Sequence, residues 1–160
     1  MKSKGIKDPN AGIPAGELKN KGVGYRTVAN IILGGSREQM RLLAYGDQQV
    51  NFERGADNSG ITRQKTIEDW AVDVYNFMAR KYGEDNIAAF VVHLDEKNPH
   101  VHCTILPIVD NKISWKKVFA GDDINEYRRR TTQLHNEIAE INNKWGLERG
   151  EDIRVTGARH

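Results

Sequence analysis

Apolar residues recur at helical spacing in two stretches of this 160-residue chain. The first stretch, between Thr62 and Gly83, has Ile67, Ala71, Val74 and Met78 at intervals of three or four residues. The second ends at Gly146 and contains Tyr127, Leu134, Ile138, Ile141 and Trp145. This spacing lines up apolar side chains on one face of a helix, and a glycine just beyond is a typical C-terminal stop. The pattern therefore predicts two long amphipathic helices.

Three other stretches, 25–33, 86–95 and 100–109, are rich in β-branched and apolar residues and are typical of strands. Ser36 stands three residues before Gln39, the spacing of a capping box, so a short helix is expected after the first strand. The tetrapeptide EKNP separates the second and third strands and favours an antiparallel hairpin. The resulting order of strand, helix, helix, strand, strand and helix indicates an α+β domain, with helices covering an antiparallel sheet.

Segment 1–22 has lysine, glycine and proline without an apolar period, which predicts a flexible N-terminal lead-in before one domain at 23–160. Segment 46–60 is polar and predicts a loop. No apolar run approaches the roughly 18 residues that a membrane helix needs, and the N-terminus lacks the apolar core of a secretory signal. A single cysteine, Cys103, excludes an internal disulfide. We therefore expect a cytoplasmic protein with no membrane contact.

The net charge of +2 and the pI near 8.6 do not identify a nucleic-acid-binding protein. Local basic clusters are more informative: Lys116 with Lys117, the arginines at 128–130, and Arg149, Arg154 and Arg159 near the end. Charge runs more often form solvated helix faces, and the alternative is contact with phosphates.

Histidines are concentrated in HLDEKNPHVH, residues 93–102. Since side chains two apart on a strand share a face, His93 and Asp95 point one way, and His100, His102 and Thr104 point together on the partner strand. The intervening residues, Val92, Leu94, Val101, Cys103 and Ile105, form the opposite, apolar face. A hairpin turning at EKNP superimposes the two polar faces, where we expect no apolar side chain.

Three imidazoles that converge on one sheet face can share a metal ion, because cross-strand neighbours lie about 5 Å apart and nitrogen–metal distances are about 2 Å. Such a centre leaves coordination positions open for water or substrate. Asp95 and Glu96 can orient a ring through its other nitrogen, or serve as ordinary turn residues. His135 stands alone within the last predicted helix and is not expected to bind metal.

The segment HLDEKNPHVHCTILPI closely resembles the histidine motif of the Mob/Pre, or MobV, mobilization relaxases. That motif reads His, any residue, Asp, Glu, two residues, Pro, His, any residue, His. The part PHVH also fits the histidine–hydrophobic–histidine signature of the HUH endonucleases, which nick single-stranded DNA. KYGEDNIAAFVVHLDE before the motif, and NKISWKKVF and WGLERGEDIRVTGARH after it, are similar to family segments as well. The resemblance covers about residues 23–160.

The resemblance implies an antiparallel palm sheet that carries a divalent ion on His93, His100 and His102, with Glu96 holding a ligand in place. It implies Mn²⁺ or Mg²⁺ as the working ion, although three imidazoles favour later metals such as Zn²⁺ or Ni²⁺ on purification. The implied reaction is a site- and strand-specific nick at the transfer origin of a plasmid or mobile element. An enzyme side chain attacks the phosphorus and stays joined to the 5′ phosphate.

The implied partner is single-stranded or supercoiled origin DNA in a bacterial cytoplasm, with dimerisation through regions outside this chain as a further possibility. Basic side chains and aromatic stacking platforms hold single strands, and the candidates are Trp115, Lys116, Lys117 and Arg149. Trp115 is equally expected as a core anchor.

The chain departs from the family before the histidine motif. Relaxases of this type carry there a first strand and two motifs, one with a histidine and one with an Asn-Tyr pair, that supply the attacking residue. No histidine precedes His93, and Phe52 in VNFERG lacks the hydroxyl of a nucleophile. We interpret the chain as a piece of a longer or split protein, with the first strand missing and a sheet edge exposed.

Three functions stay open at this stage. Besides nicking by a protein nucleophile, the same centre could activate water for hydrolysis, or the chain could bind DNA or a partner without cutting it. Tyr25 and Tyr45 are the conceivable attackers, whereas Tyr75, Tyr82 and Tyr127 lie in predicted helices and are expected to pack.

Overall fold

A computed structural model describes residues 5–20, 22 and 24–149. Three strands, β1 (Ala29–Leu33), β2 (Ile87–His93) and β3 (His100–Ile105), form an antiparallel sheet in the order β1–β3–β2. The central strand is β3, and β1 and β2 are the edges of this sheet. The predicted α+β class and the predicted hairpin of β2 with β3 are confirmed.

Three helices accompany the sheet: α1 (Arg37–Tyr45), α2 (Lys65–Tyr82) and α3 (Ile124–Asn143). The predicted capping box begins α1, because the Ser36 Oγ accepts the Gln39 backbone N–H at 3.3 Å. The predicted stop of α2 is Gly83, whose φ of 88° favours glycine. Short 3₁₀ turns occupy Glu17–Lys19 and Glu84–Asn86, and one π-helical turn occupies Lys116–Ala120.

The core lies on one face of the sheet. Its largest fully buried side chains include Trp70, Ile67 and Met78 of α2 and Val101 and Ile105 of β3. Among the described residues, one polar side chain is buried in this core: Asn142 of α3 accepts the Trp70 Nε1–H at 2.9 Å and donates to the Gly34 carbonyl at 3.1 Å. Asn142 thereby ties α2 and α3 to the end of β1.

The predicted strand 100–109 is broken in two. β3 stops at Ile105, and Ile108–Val109 (β4) pairs with Lys112–Ile113 (β5) in a separate two-stranded sheet. Pro107 lies at the break and has no backbone N–H with which to continue the ladder. The expected turn after it is present, with Asp110 and Asn111 at φ values of 51° and 57°.

The first strand begins at Ala29 instead of residue 25. The backbone of Tyr25 is paired with a side chain: its N–H donates to the Asn10 Oδ1 at 2.7 Å, and its carbonyl accepts from the Asn10 Nδ2 at 2.9 Å. In the same predicted lead-in, Ile6 is buried. The division into 1–22 and 23–160 stays a prediction. Among the described residues, no helix combines the length and apolar character needed to cross a bilayer.

Candidate metal centre and nucleic-acid surface

His93, His100 and His102, called the histidine cluster below, converge on the sheet face opposite the core. His93 stands directly across from His100 in the β2–β3 register, and His102 follows two positions along β3. The ring centroids lie 5.2 Å apart for His93 and His100, 4.6 Å for His93 and His102, and 4.7 Å for His100 and His102. The expected convergence of the three rings is therefore present.

A backbone contact selects which nitrogen the His100 ring can offer. The His100 Nδ1 lies 2.7 Å from the Asn98 carbonyl oxygen. A carbonyl only accepts, so this nitrogen carries the proton and leaves the Nε2 lone pair of a neutral ring free. That Nε2 lies 2.7 Å from the Nε2 of His102. Two nitrogens at this distance must share either a proton or a cation, because facing lone pairs repel.

The two carboxylates of the motif lie beside the third ring. The Nδ1 of His93 is 3.6 Å from the Glu96 Oε1 and 3.9 Å from the Asp95 Oδ1. Both separations exceed a hydrogen bond but fall within the range of an ion pair. Since the acceptors gather at Nδ1, the Nε2 of His93 is the nitrogen left for a ligand.

The cluster fits a divalent cation in its donor set, and the spacing of the His100–His102 pair requires a small adjustment. In the described part of the chain, no three His, Cys, Asp or Glu side chains already surround a common point at ligand distances. Two imidazole nitrogens on one tetrahedral ion lie about 3.3 Å apart, given bonds of about 2.0–2.1 Å. The His100–His102 pair must therefore separate by roughly 0.6 Å, which partly exposed rings allow.

Apolar side chains do share the face of the cluster, so the expectation of a wholly polar face is wrong. Val91 is 48% exposed and lies opposite His102 on one side, and Ile32 is 66% exposed and lies opposite it on the other. Thr104 completes the row on β3, and its hydroxyl donates to the Asn30 Oδ1 at 2.9 Å. Val91 and Ile32 therefore place apolar surface beside the three rings. They do not separate the rings from solvent.

The loop between β2 and β3 is held by helix α1. The Arg41 Nε donates to the Lys97 carbonyl at 2.7 Å, and the Tyr45 hydroxyl donates to the Leu94 carbonyl. Burial of Tyr45 and the charge of Asp95 raise the pKa of its hydroxyl, while Arg41 acts in the opposite direction. Tyr45, conceived above as an attacker, is 7% exposed and directs its hydroxyl to this backbone contact.

The other tyrosines divide as follows. Tyr75 packs edge-on against Phe90, and Tyr82 packs against Phe119, as expected for helix residues. Tyr127 was expected to pack in the core, but it is 37% exposed, because α3 presents it towards the edge of β1. Tyr25 is 69% exposed.

Two grooves run between β1 and α3, with volumes of about 980 and 800 Å³. They share Ile31, Tyr127, Thr131 and Leu134, and we call the combined feature the β1–α3 trough. Its basic lining comprises Arg26, Lys81, Lys117, Arg128, Arg129 and Arg149 among others. At one end, Gly34 lies against His100, since a Cβ on Gly34 would stand 3.5 Å from the His100 Cβ. The trough therefore ends beside the histidine cluster.

The structure separates the four predicted DNA-binding residues. Trp115 is partly buried, lies 4.7 Å from Phe119 between ring centroids, and has the Arg26 guanidinium 5.1 Å from its own ring centroid. Lys117 lines the same groove and pairs with Asp110 at 3.3 Å, whereas Lys116 lies outside the lining and pairs with Asp122 at 2.9 Å. Arg149 lines the other groove. Arg154 and Arg159 lie outside the described residues.

Comparison with known proteins assigns the family. Residues 47–160 match the family Mob_Pre, described as "Plasmid recombination enzyme". The chain belongs to the Mob/Pre family. This match covers more than half of the chain and confirms the resemblance recognised in the histidine motif.

Curated Mob/Pre relatives cover about half of this chain. It is 34% identical over 87 residues to "Plasmid recombination enzyme type 3" of Staphylococcus aureus, which is 52% of this chain and 20% of that protein. It is 38% identical over 79 residues to "Plasmid recombination enzyme" of a Bacillus species, which is 48% of this chain and 17% of that protein. The match thus spans about a fifth of the length of these relatives.

The fold of this Mob/Pre chain is also that of a solved relaxase domain. The structure described as "MobM Relaxase Domain (MOBV; Mob_Pre) bound to 26nt pMV158 oriT DNA" superposes with a TM-score of 0.57. The match covers 91% of this chain and 71% of that one, at 23% identity. This likeness shows the shared fold.

Sequence reasoning on this Mob/Pre chain missed Arg41 as well as the backbone-anchoring role of Tyr45. Neither residue lies in a recognisable motif, and each is about 50 positions from the loop it contacts: 56 for Arg41 and 49 for Tyr45. The sequence signal that was present is the helical spacing of four, which places both on one face of α1.

Proposed function

We propose that this chain is the metal-binding part of a DNA relaxase that nicks one strand at the transfer origin of a mobilizable plasmid or element. The observation that carries the proposal is the convergence of three imidazoles on an open sheet face in a chain of the Mob/Pre family. The substrate class is taken from the solved relative, which is bound to plasmid origin DNA. Within the reaction, the 5′ phosphate becomes covalently joined to the protein and a 3′ hydroxyl is released.

The Nε2 atoms of His93, His100 and His102 would hold the ion, which we propose to be Mn²⁺ or Mg²⁺, with Zn²⁺ or Ni²⁺ competing during purification. A divalent ion bound there supplies positive charge that stabilises a phosphate oxygen during attack on the phosphorus. The chain's own part is orientation. The Asn98 carbonyl fixes the His100 tautomer, and Glu96 and Asp95 lie beside the Nδ1 of His93.

Imidazole binds a metal in its neutral form, so protons and the cation compete for the cluster. Affinity and nicking should therefore fall together as the proton concentration rises.

For the DNA path we propose the β1–α3 trough. It offers arginine and lysine side chains for the phosphates, and an exposed tyrosine, Tyr127, for base stacking. Lys117 and Trp115 line one half and Arg149 lines the other, and the trough ends at Gly34 beside His100. A strand lying there would reach the cluster at the end of β1. Lys116 is outside this path and binds DNA only if the strand also crosses the π-helical turn.

The attacking residue is not assigned to any position of this chain, because no histidine precedes His93 and no Asn-Tyr pair matches the family's motif. Two alternatives follow, namely hydrolysis by metal-activated water and DNA binding without cutting. We further propose that the protein works in the bacterial cytoplasm and that dimerisation uses regions outside this chain.

The test uses a 5′- and 3′-labelled single-stranded origin oligonucleotide incubated with the protein and Mn²⁺, followed by a denaturing gel. A protein-linked 5′ phosphate supports transesterification, and a free 5′ phosphate without the adduct supports hydrolysis. No cut product with retained DNA affinity supports the binding function and overturns nicking by this chain.

The matched variants are His100→Ala with His102→Ala, and Asn136→Ala as the control. Asn136 is an exposed residue of α3 that lies outside the cluster and lines neither groove of the trough. The double substitution should abolish cutting and the control should leave it unchanged. Equal cutting by all three proteins would remove the cluster from the mechanism.

A further inference from the structure

Two side chains of α1 donate hydrogen bonds to the backbone of the loop that carries Asp95 and Glu96. Residues 94–97 of this loop are called the anchored segment below. The Tyr45 hydroxyl donates to the Leu94 carbonyl at the start of the loop, and the Arg41 Nε donates to the Lys97 carbonyl at 2.7 Å near its end. The two residues are one helical turn apart, so the same face of α1 provides both contacts.

The polar groups that lie against the His93 and His100 rings come from within or next to the anchored segment. Leu94 directly follows His93, and Asp95 and Glu96, whose oxygens lie beside the His93 Nδ1, come between the two anchored carbonyls. Asn98, whose carbonyl binds the His100 Nδ1, directly follows Lys97. A displacement of either anchor therefore moves a partner of a candidate metal ligand.

Leu94 and Pro99 at the two ends of the loop pack inward, but the carboxylates between them are held by little else. The Asp95 side chain is 86% exposed and the Glu96 side chain is 57% exposed. An exposed loop without regular structure keeps its conformational freedom unless neighbouring elements bind its backbone. The two hydrogen bonds from α1 are long-range contacts of this kind.

The side chains of Arg41 and Tyr45 are themselves fixed by packing. Tyr45 is 7% exposed and packs edge-on against Phe52, with ring centroids 6.4 Å apart. The Arg41 guanidinium lies over the same phenylalanine, 4.2 Å from the Phe52 ring centroid. Phe52 thus packs against both hydrogen-bond donors, Arg41 and Tyr45. It has no hydroxyl of its own.

We propose that Arg41 and Tyr45 are positioning residues for the histidine cluster, which act by anchoring the loop that orients His93 and His100. This inference rests on the proposed metal-binding function and adds to it the residues that set the affinity of the site. Orienting partners of metal ligands typically contribute tenfold to hundredfold in affinity.

The first test measures Mn²⁺ affinity of the full chain by isothermal titration calorimetry and by electron paramagnetic resonance of free Mn²⁺. Tyr45→Phe removes one hydroxyl and should weaken Mn²⁺ binding about tenfold or more. The matched control is Tyr75→Phe, which removes a hydroxyl that donates to Glu84 at 3.0 Å away from the cluster. The control should bind Mn²⁺ as the unmodified chain does.

The second test repeats the comparison with arginine. Arg41→Gln removes the donor to the Lys97 carbonyl and should also weaken Mn²⁺ binding, while Arg63→Gln removes a surface contact with Glu68 on α2 and should not. Melting temperatures without metal are recorded for all four variants. A merely structural role would lower the melting temperature of the α1 variants without changing their Mn²⁺ affinity, and that result would overturn the inference.

The outcomes separate the inference from the function on which it rests. If the unmodified chain takes up no Mn²⁺ at neutral pH, the proposed metal centre fails and the positioning role fails with it. If the unmodified chain binds Mn²⁺ and the α1 variants bind it equally well, the positioning role alone is wrong. Weaker binding by both α1 variants and by neither control supports the inference.

Discussion

Alternate residues of β3 face two different environments. Val101, Cys103 and Ile105 have no exposed surface and lie in the core with α1 and α2. The side chains between them, His100, His102 and Thr104, are partly exposed on the opposite face. The core face is held by packing against helices, whereas the histidine face is held by the register of two strands and by the loop between them. Stability and metal binding should therefore respond separately to substitutions one position apart.

The largest effect is expected on the core face. Ile105→Ala removes three buried carbons, and the free energy of unfolding should fall by about 2–5 kcal/mol. Thr104→Ala, its neighbour on the other face, loses a part-exposed hydroxyl contact with Asn30 and should cost about 1 kcal/mol or less. Urea denaturation of both variants measures the difference. Equal losses would contradict the separation of the two faces.

The histidine face should show the reverse behaviour. His102→Ala removes a candidate ligand and should lower Mn²⁺ affinity at least about hundredfold, which is about 2.7 kcal/mol. Its metal-free melting temperature should change little, because His102 is partly exposed. Calorimetric titration and thermal unfolding of the same sample test both parts. A variant that melts much earlier but still binds Mn²⁺ would assign His102 to the core.

The Cys103 thiol lies between His102 and Thr104 in the sequence, and chemical labelling can measure the difference between the two faces of β3. Burial raises the pKa of the Cys103 thiol from 9.0 to about 11, so its reactive thiolate is about a hundredfold scarcer at pH 8 than in an unfolded chain. Labelling by a thiol reagent should be slow in the folded protein and fast in urea. Thr104→Cys combined with Cys103→Ala should react quickly when folded, and slow labelling of this variant would contradict the exposure of the histidine face.

The smallest effect is expected away from both faces, at Asp73 of α2. A hydrogen bond from Lys144 holds the pKa of Asp73 below its ordinary value of 3.8. A lowered pKa stabilises the folded state above the unfolded pKa, and this contribution is lost as the pH falls through the folded pKa. Asp73→Asn should therefore lower the melting temperature by about 1 °C at pH 7. The difference should disappear in strongly acidic solution, and its persistence there would exclude the ion pair as its cause.

Much of the fold was predictable because it depends on local spacing. The stripe Ile67, Ala71, Val74 and Met78 is the buried face of α2, and Ser36 caps α1 as its spacing predicted. The errors arose where one residue overrode a pattern. Pro107 ended the third strand early, and Asn10 took the hydrogen bonds that residue 25 would have given to a sheet.

The candidate site was predictable to the same degree and for the same reason. The family motif and the alternation of β3 identified the three histidines, whereas Val91 and Ile32 on their face were missed because their positions depend on cross-strand register. The β1–α3 trough was not predictable, since it depends on where α3 packs. Trp115 and Arg149 are 34 positions apart in number, yet they line two halves of one surface.

The sequence by itself determined the family and the side of the sheet on which the histidines lie, because strand alternation has a period of two and needs no knowledge of the rest of the chain. Only the tertiary structure decided how the motif loop is held. Arg41 and Tyr45 reach that loop across 56 and 49 positions, and their contacts exist only because α1 packs beside the hairpin. Such contacts depend on how whole helices and strands pack together, which the local spacing of residues in the sequence does not predict.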